Sequence, residues 1–354
     1  MAEVVESYLR EQLEKRREQL RQAIASPDAH VAHPAFTNLL REVDAALQRI
    51  DEGTYGICEV CHDTVERDRL ISDPLVRFCL DHLNSAEQRA LEGDLELAAR
   101  IQRGLLPRTE LSILDWHIQY HYKPAGLVSG DYCDVIAPSG KSNTPIFLIG
   151  DVAGKGVAAS LLMSHLHAMF RTLSSLDLGL DKLLDMGNRI FCESTLAGQY
   201  ATLVCGRLVS TSEVEIASAG HLPALLVRKN GVEEFSSTGL PLGMFSTARY
   251  SVTRVRLDAG DSLLLFTDGI SEAVNLTGAE YGIEHLSVVA GEQYGRAPRD
   301  FLAECLNDVD AFSSGAQQKD DQTIMIVHRA DSPTGAGLQN QTRPTHYSAS
   351  IRDR

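Results

Sequence analysis

The apolar positions change their spacing partway along the chain. Over residues 1–24, Val5, Tyr8, Leu9, Leu13, Leu20 and Ile24 stand at helical intervals among many charges, so one face is apolar and the other wet. Proline and histidine interrupt this run at "SPDAHVAHP". A second helical run then places Phe36, Leu39, Leu40, Val43, Leu47 and Ile50 on one stripe. Two such runs joined by a short breaker predict an antiparallel helical hairpin over residues 1–52. Residues 85–107 carry Leu91, Leu95, Ala98, Ile101 and Leu105 at steps of three or four, and Pro107 ends the run. That pattern predicts an amphipathic connector helix, with its stripe a candidate homodimer contact.

From about residue 112 the period shortens. "WHIQYHY", "IFLIGD", "ATLVCGRLV", "PALLVRK", "YSVTRVRL", "DSLLLFTD" and "TIMIVHR" read as strands, with helical runs near 157–176, 180–197 and 298–312. Strands that neighbour one another, with helices grouped rather than alternating, predict an α+β layered domain over 108–330 and argue against a doubly wound parallel sheet. Residues 331–354 are polar, with little to bury, and read as a disordered tail.

Composition narrows the function classes. The 354 residues are 44% hydrophobic, an ordinary globular fraction, and the formal net charge of -15 disfavours broad contact with nucleic acid or an acidic membrane surface. No apolar run approaches a membrane span and the N-terminus lacks a secretory layout, so the expected compartment is the cytoplasm.

Three of the seven cysteines crowd into "GTYGICEVCHDTVERDRLISDPLVRFCLDHLN". Cys58 and Cys61 form one pair of soft ligands and Cys79 and His82 a second, with seventeen residues between. Two tight pairs separated by a loop suit one tetrahedral zinc; His62 is an alternative ligand, hindered by its adjacency to Cys61. This segment, residues 53–84, resembles the zinc finger of the DksA/TraR family of RNA polymerase-binding regulators, with His82 where that family usually has a cysteine. The tip of the preceding hairpin offers only Asp28, so polymerase binding does not follow from the resemblance. An RNA polymerase-binding regulator, with the α+β domain accessory to it, is the alternative reading of the whole chain.

Acidic residues recur beside apolar runs and glycines. They are Asp131 and Asp134 in "VSGDYCDV", Asp151 in "FLIGDVAGKG", Asp268 in "LLLFTDGISEA", and Asp320 with Asp321 in "KDDQTIMIV". One acid at a strand end is an ordinary turn residue. Several converging on one sheet edge require cations among them, and oxygen-only donors favour Mg²⁺ or Mn²⁺. "IFLIGDVAGKGVAAS" imitates a nucleotide phosphate loop, but its glycines have the wrong spacing and Asp151 would put a negative charge in an anion cradle.

Seven stretches in order, "LELAARIQRGLLP", "KPAGLVSGDYCDV", "LIGDVAGKGVAASLLMS", "ASAGHLPALLV", "GLPLGMF", "LLLFTDGISEAVN" and "DDQTIMIV", resemble the SpoIIE/RsbU-like branch of the metal-dependent protein serine/threonine phosphatases. The resemblance implies an α-β-β-α sandwich holding two Mn²⁺ or Mg²⁺ ions between its sheets. It implies Asp131, Asp151, Asp268 and Asp320 as ligands, with the carbonyl of Val152, and Asp134 and Asp321 as secondary candidates. The expected activity is direct hydrolysis of phosphoserine or phosphothreonine on a regulatory protein of the anti-anti-sigma STAS type, with signal input from the N-terminal module. Lys123 is a candidate contact for the substrate phosphate. His221 in "AGHLPALL" reads as a turn residue beside a strand, and Cys133, Cys192, Cys205 and Cys305 as core thiols.

Overall fold

The computed structural model describes residues 2–25, 33–83, 85–138 and 144–330. Asp28 and the tail 331–354 lie outside these residues. The chain divides into two compact units between Asp94 and Leu95.

In the first unit, α1 (Ala2–Ala25) and α2 (His33–Asp51) pair through one face each. Leu13 and Leu20 of α1 are buried against Val43, Ala46, Leu47 and Ile50 of α2, positions the helical period brings to one side. A short loop region follows, closed by an antiparallel bridge between Ile57 and Thr64, and then α3 (Arg67–Ser72). Its small core joins Leu9, Val65 and Leu70 to Cys58 and Cys79. The next helix, α4 (Ser85–Leu105), begins in this unit and ends in the second.

Two antiparallel sheets form the second unit. One contains β1 (Glu110–Ile113), β2 (Trp116–Lys123), β7 (Ala224–Arg228), β8 (Gly231–Phe235), β10 (Ser262–Phe266) and β11 (Gln322–Arg329), in the order β1-β2-β11-β10-β7-β8. The other contains β3 (Tyr132–Ile136), β4 (Ile146–Val152), β5 (Ala201–Leu208), β6 (Glu213–Ala219) and β9 (Thr253–Arg256), in that order. A shared apolar layer, including Ile118, Cys133, Ile149, Leu265 and Met325, lies between them. The outer face of the β3–β9 sheet packs on α5 (Gly156–Leu173) and α6 (Leu180–Ser194). Past the four-residue α7 (Asp268–Ser271), α8 (Ile283–Gly291) and α9 (Pro298–Phe312) cover the other sheet. The layer order is α-β-β-α.

Four strands escape the hydrophobic pattern of the sequence: β1, β3, β6 and β8. In β3 every position is buried, so it shows no alternation, whereas β8 is an edge strand with Glu233 and Glu234 exposed. Helix α8 also lay outside the expected helical runs. None of the helices among the described residues is long and apolar enough to cross a membrane.

Candidate active site at one end of the two sheets

Strand alternation explains how the acids meet. Along β3, Tyr132 faces the helices and Cys133 the other sheet, so Asp131, one residue earlier, falls on the intersheet side. The same parity along β4, with Ile149 inward and Val152 outward, puts Asp151 on that side too. From the opposite sheet, Thr267 and Thr323 extend the inward series of Leu263, Leu265, Met325 and Val327. The register Tyr132↔Gly150 and Phe266↔Ile324 brings all these ends to the same edge of their sheets.

Asp131 is 1% exposed. Its Oδ2 accepts hydrogen bonds from the Thr267 hydroxyl at 2.9 Å and from the Thr323 hydroxyl, which ties the two sheets together. Burial pushes its pKa well above the carboxylate range, with the charges of Asp151 and Asp321 adding to the effect and the two threonines opposing it. Asp151 is pushed up to about 7, first by burial and then by Asp268, Asp320 and Asp321. Asp268 is raised as well, by burial and by Asp320. The acids therefore feel one another's fields.

Two glycines make this proximity possible. An added Cβ on Gly269 would collide with the carbonyl of Asp321, so only glycine lets the Asp268 turn lie against the start of β11. A Cβ on Gly130 would stand 3.4 Å from Asp151 Oδ1 and 3.2 Å from the Val152 carbonyl oxygen, which locates that carbonyl beside the acids.

The neighbouring aspartates Asp320 and Asp321 have different surroundings. Asp320 faces the Lys155 ammonium at 2.7 Å, while Asp321 accepts the backbone N–H groups of Ala125 at 2.7 Å and Gly130 at 2.8 Å. Asp321 thus holds the loop that delivers Asp131. Asp134 is not brought to this group: three residues from Asp131 on a strand, it points to the helix layer. There both of its oxygens are bound by Arg171 at 2.7 and 2.9 Å. A metal-ligand role for Asp134 does not fit, because its fully buried carboxylate already has its counter-ion.

Beside Asp320 opens a cleft of about 530 Å³, lined among others by Lys123, Lys155, Gly269 and Glu272. Lys123 is half exposed at its rim, 3.9 Å from Asp310. Sequence reasoning missed the groups that hold the acids in place. Gln102, buried on α4, bonds Ser129 twice, donating to its carbonyl at 2.7 Å and accepting its N–H at 3.0 Å. The threonines in "FTDG" and "DDQT" were legible only as neighbours of the aspartates.

The donor chemistry fits hard divalent cations. All groups are oxygens, raised pKa values mark carboxylates short of counter-charge, and a lysine ammonium stands where Asp320 meets positive charge. The four zinc candidates in the first unit also converge. The ligand atoms of Cys58, Cys61, Cys79 and His82 all lie within 4.8 Å of one another. Cys61 Sγ is 3.7 Å from Cys79 Sγ, which is 3.3 Å from His82 Nδ1. A zinc tetrahedron with ~2.3 Å Zn–S bonds has edges of about 3.8 Å. Burial opposes a Cys58 thiolate, but N–H groups of Cys61, Cys79 and Val60 outweigh it and bring its pKa down to about 6. His62 sits exposed at φ 59°, as the left-handed residue of the turn, and is not in the cluster.

A profile of the stage II sporulation protein E (SpoIIE) family matches residues 141–330, more than half of the chain. The phosphoserine phosphatase RsbU of Bacillus subtilis is 29% identical over 192 residues, 52% of this chain and 55% of RsbU. Among solved structures, the SiaA-PP2C domain of Pseudomonas aeruginosa superposes with a TM-score of 0.58 at 18% identity, covering 69% of this chain and 99% of that domain. The RsbU and RsbW domains of Rv1364c from Mycobacterium tuberculosis superpose with a TM-score of 0.53 at 25% identity, over 64% of this chain and 63% of theirs. The chain spans about half the length of the curated relatives it matches.

Proposed function

The chain belongs to the SpoIIE family, and on that premise we propose that it is a Mn²⁺- or Mg²⁺-dependent phosphatase of phosphoserine or phosphothreonine in a regulatory protein. The observation that carries the proposal is the convergence of Asp131, Asp151, Asp268 and Asp320, with the Val152 carbonyl, at one end of the intersheet layer. These residues would hold a pair of divalent cations, which when bound acidify water and neutralise charge on the phosphoryl oxygens. Thr267 and Thr323 restrain one oxygen of Asp131 and leave the other for a ligand. Asp321 fixes the loop before Asp131, and Gly269 lets the Asp268 turn lie against the start of β11. Lys155 and Lys123 line the cleft, and we assign them contact with an arriving phosphate by charge. The reaction is phosphomonoester plus water giving the free hydroxyl and phosphate. None of the four core thiols serves as nucleophile in it, since burial raises Cys133, Cys205 and Cys305 and Cys192 lies on α6.

The partner we propose is a phosphorylated STAS-type anti-anti-sigma protein, in keeping with the likeness to RsbU. The Cys58/Cys61/Cys79/His82 cluster is assigned one structural zinc. Residues 1–84 supply a signal and α4, which also carries the homodimer contact, transmits it; the Gln102–Ser129 pair supports this route because it joins α4 to the loop of Asp131. Phosphate release from a phosphorylated STAS-domain protein, followed with Mn²⁺ and with chelator, tests the assignment. Release in Mn²⁺ alone is expected, and release of equal rate in chelator contradicts it.

A further inference from the structure

His221 has a use that the turn reading of its motif does not supply. It lies between β6 and β7, where the chain crosses from one sheet to the other, and it is 6% exposed. Its Nε2 is 3.0 Å from the carbonyl oxygen of Phe266, and its Nδ1 is 2.8 Å from the hydroxyl of Thr202. A carbonyl can only accept, so Nε2 carries the proton. Burial lowers the His221 pKa to about 4 against the opposing pull of that carbonyl, so the ring is neutral and Nδ1 accepts from Thr202.

Both partners adjoin the acid group. Thr202 is the direct register partner of Asp151 across β4 and β5, and its hydroxyl also lies 3.5 Å from the Asp151 carbonyl oxygen. Phe266 is the last residue of β10, followed by Thr267, which binds Asp131, and by Asp268. One imidazole thus spans the gap between the strand end bearing Asp151 and the strand end bearing Asp268. We propose that His221 is a positioning residue that sets the separation of these two carboxylates for cation binding, acting through Thr202 on one side and Phe266 on the other. This rests on the two-cation reading above.

The bond to Phe266 is buried and the bond to Thr202 partly so, and both are needed to fix the ring. Removing either frees one strand end without touching a carboxylate. Groups that orient metal ligands in this indirect way carry about 10- to 100-fold in metal affinity.

The test is calorimetric Mn²⁺ binding to the whole 354-residue chain, zinc-loaded, with the thermal midpoint of the protein free of Mn²⁺ measured alongside. His221→Leu and Thr202→Val are each expected to weaken Mn²⁺ binding by about 10-fold or more. His221→Gln, which can still donate to the Phe266 carbonyl, is expected to recover part of the loss. The same variants should lower kcat on a phosphoprotein while leaving KM unchanged, a split that a general loss of packing does not produce. Should His221→Leu fail to fold, Thr202→Val decides. Wild-type Mn²⁺ affinity in Thr202→Val and His221→Leu would overturn the role of His221 alone. No Mn²⁺ binding by the wild type would overturn the two-cation reading and this role with it.

Discussion

Asp131 and Thr267 stand on facing sheets and are joined by a hydrogen bond of 2.9 Å at a position where the carboxylate is almost wholly buried. With Thr323 on the same oxygen, the bond closes the intersheet layer and fixes the rotamer of an acid that makes no ion pair among the described residues. Replacing Thr267 by Val keeps the shape and removes both the donor to Asp131 and the acceptor of the Thr323 N–H. Loss of one hydrogen bond that leaves a buried acceptor short of a donor costs about 1–3 kcal/mol. Chemical denaturation of the metal-free protein should show that loss at neutral pH, and unchanged stability would mean that Asp131 is held by other groups.

Asp320 and Asp321 are adjacent yet should fail in opposite ways. Asp321→Ala abandons two backbone N–H groups of the 125–130 loop and should destabilise the fold by about 2 kcal/mol. Asp320→Asn, by contrast, removes a charge that raises both Asp151 and Asp268, so the metal-free protein should be as stable as wild type or more so, with Mn²⁺ binding lost. Denaturation and calorimetry on the two variants separate these outcomes.

The raised pKa of Asp151 has a definite sign. A carboxyl whose folded-state pKa lies above its ordinary value of 3.8 favours folding in its protonated form. That contribution is complete below 3.8 and is lost as pH rises through about 7. In chelator, the thermal midpoint of wild type should therefore fall relative to Asp151→Asn as pH goes from 4 to 7, and saturating Mn²⁺ should remove the difference in slope. Parallel curves for the two proteins in chelator would contradict the shift.

Zinc removal should act on the first unit. Its small core of Leu9, Val65 and Leu70 closes around Cys58 and Cys79, so metal-linked folding on the order of 10 kcal/mol would dominate its stability. One zinc per chain is expected by elemental analysis. Cys61→Ser should lose it and expose residues 53–84 to protease, while a metal-free wild type that resists protease equally would contradict a structural zinc.

Much of this site was legible in the sequence, and its limits have physical causes. Seven ordered motifs carried the family, and the spacing of Cys58, Cys61, Cys79 and His82 foretold their convergence. The roles of Asp131 and Asp134 turned on strand parity: an odd separation sends two side chains to opposite faces, but β3 is buried throughout and its apolar pattern does not announce which face is which. Arg171, the partner that settles Asp134, is thirty-seven residues away on α5. Likewise, Gln102 reaches Ser129 and His221 reaches Phe266 only because helix and crossover are brought over the sheet ends by the fold. Contacts of that kind leave no local trace.

The function proposed for the converging aspartates is hydrolysis through bound divalent cations. Its most direct test is the rate of phosphate release from a phosphoserine protein at saturating Mn²⁺, compared among wild type, Asp151→Asn and Asp268→Asn, with folding of each confirmed by its thermal transition. Wild type is expected to turn over, and both variants, though folded, to fall to the rate of the enzyme-free control. Turnover by either variant at the wild-type rate would contradict it.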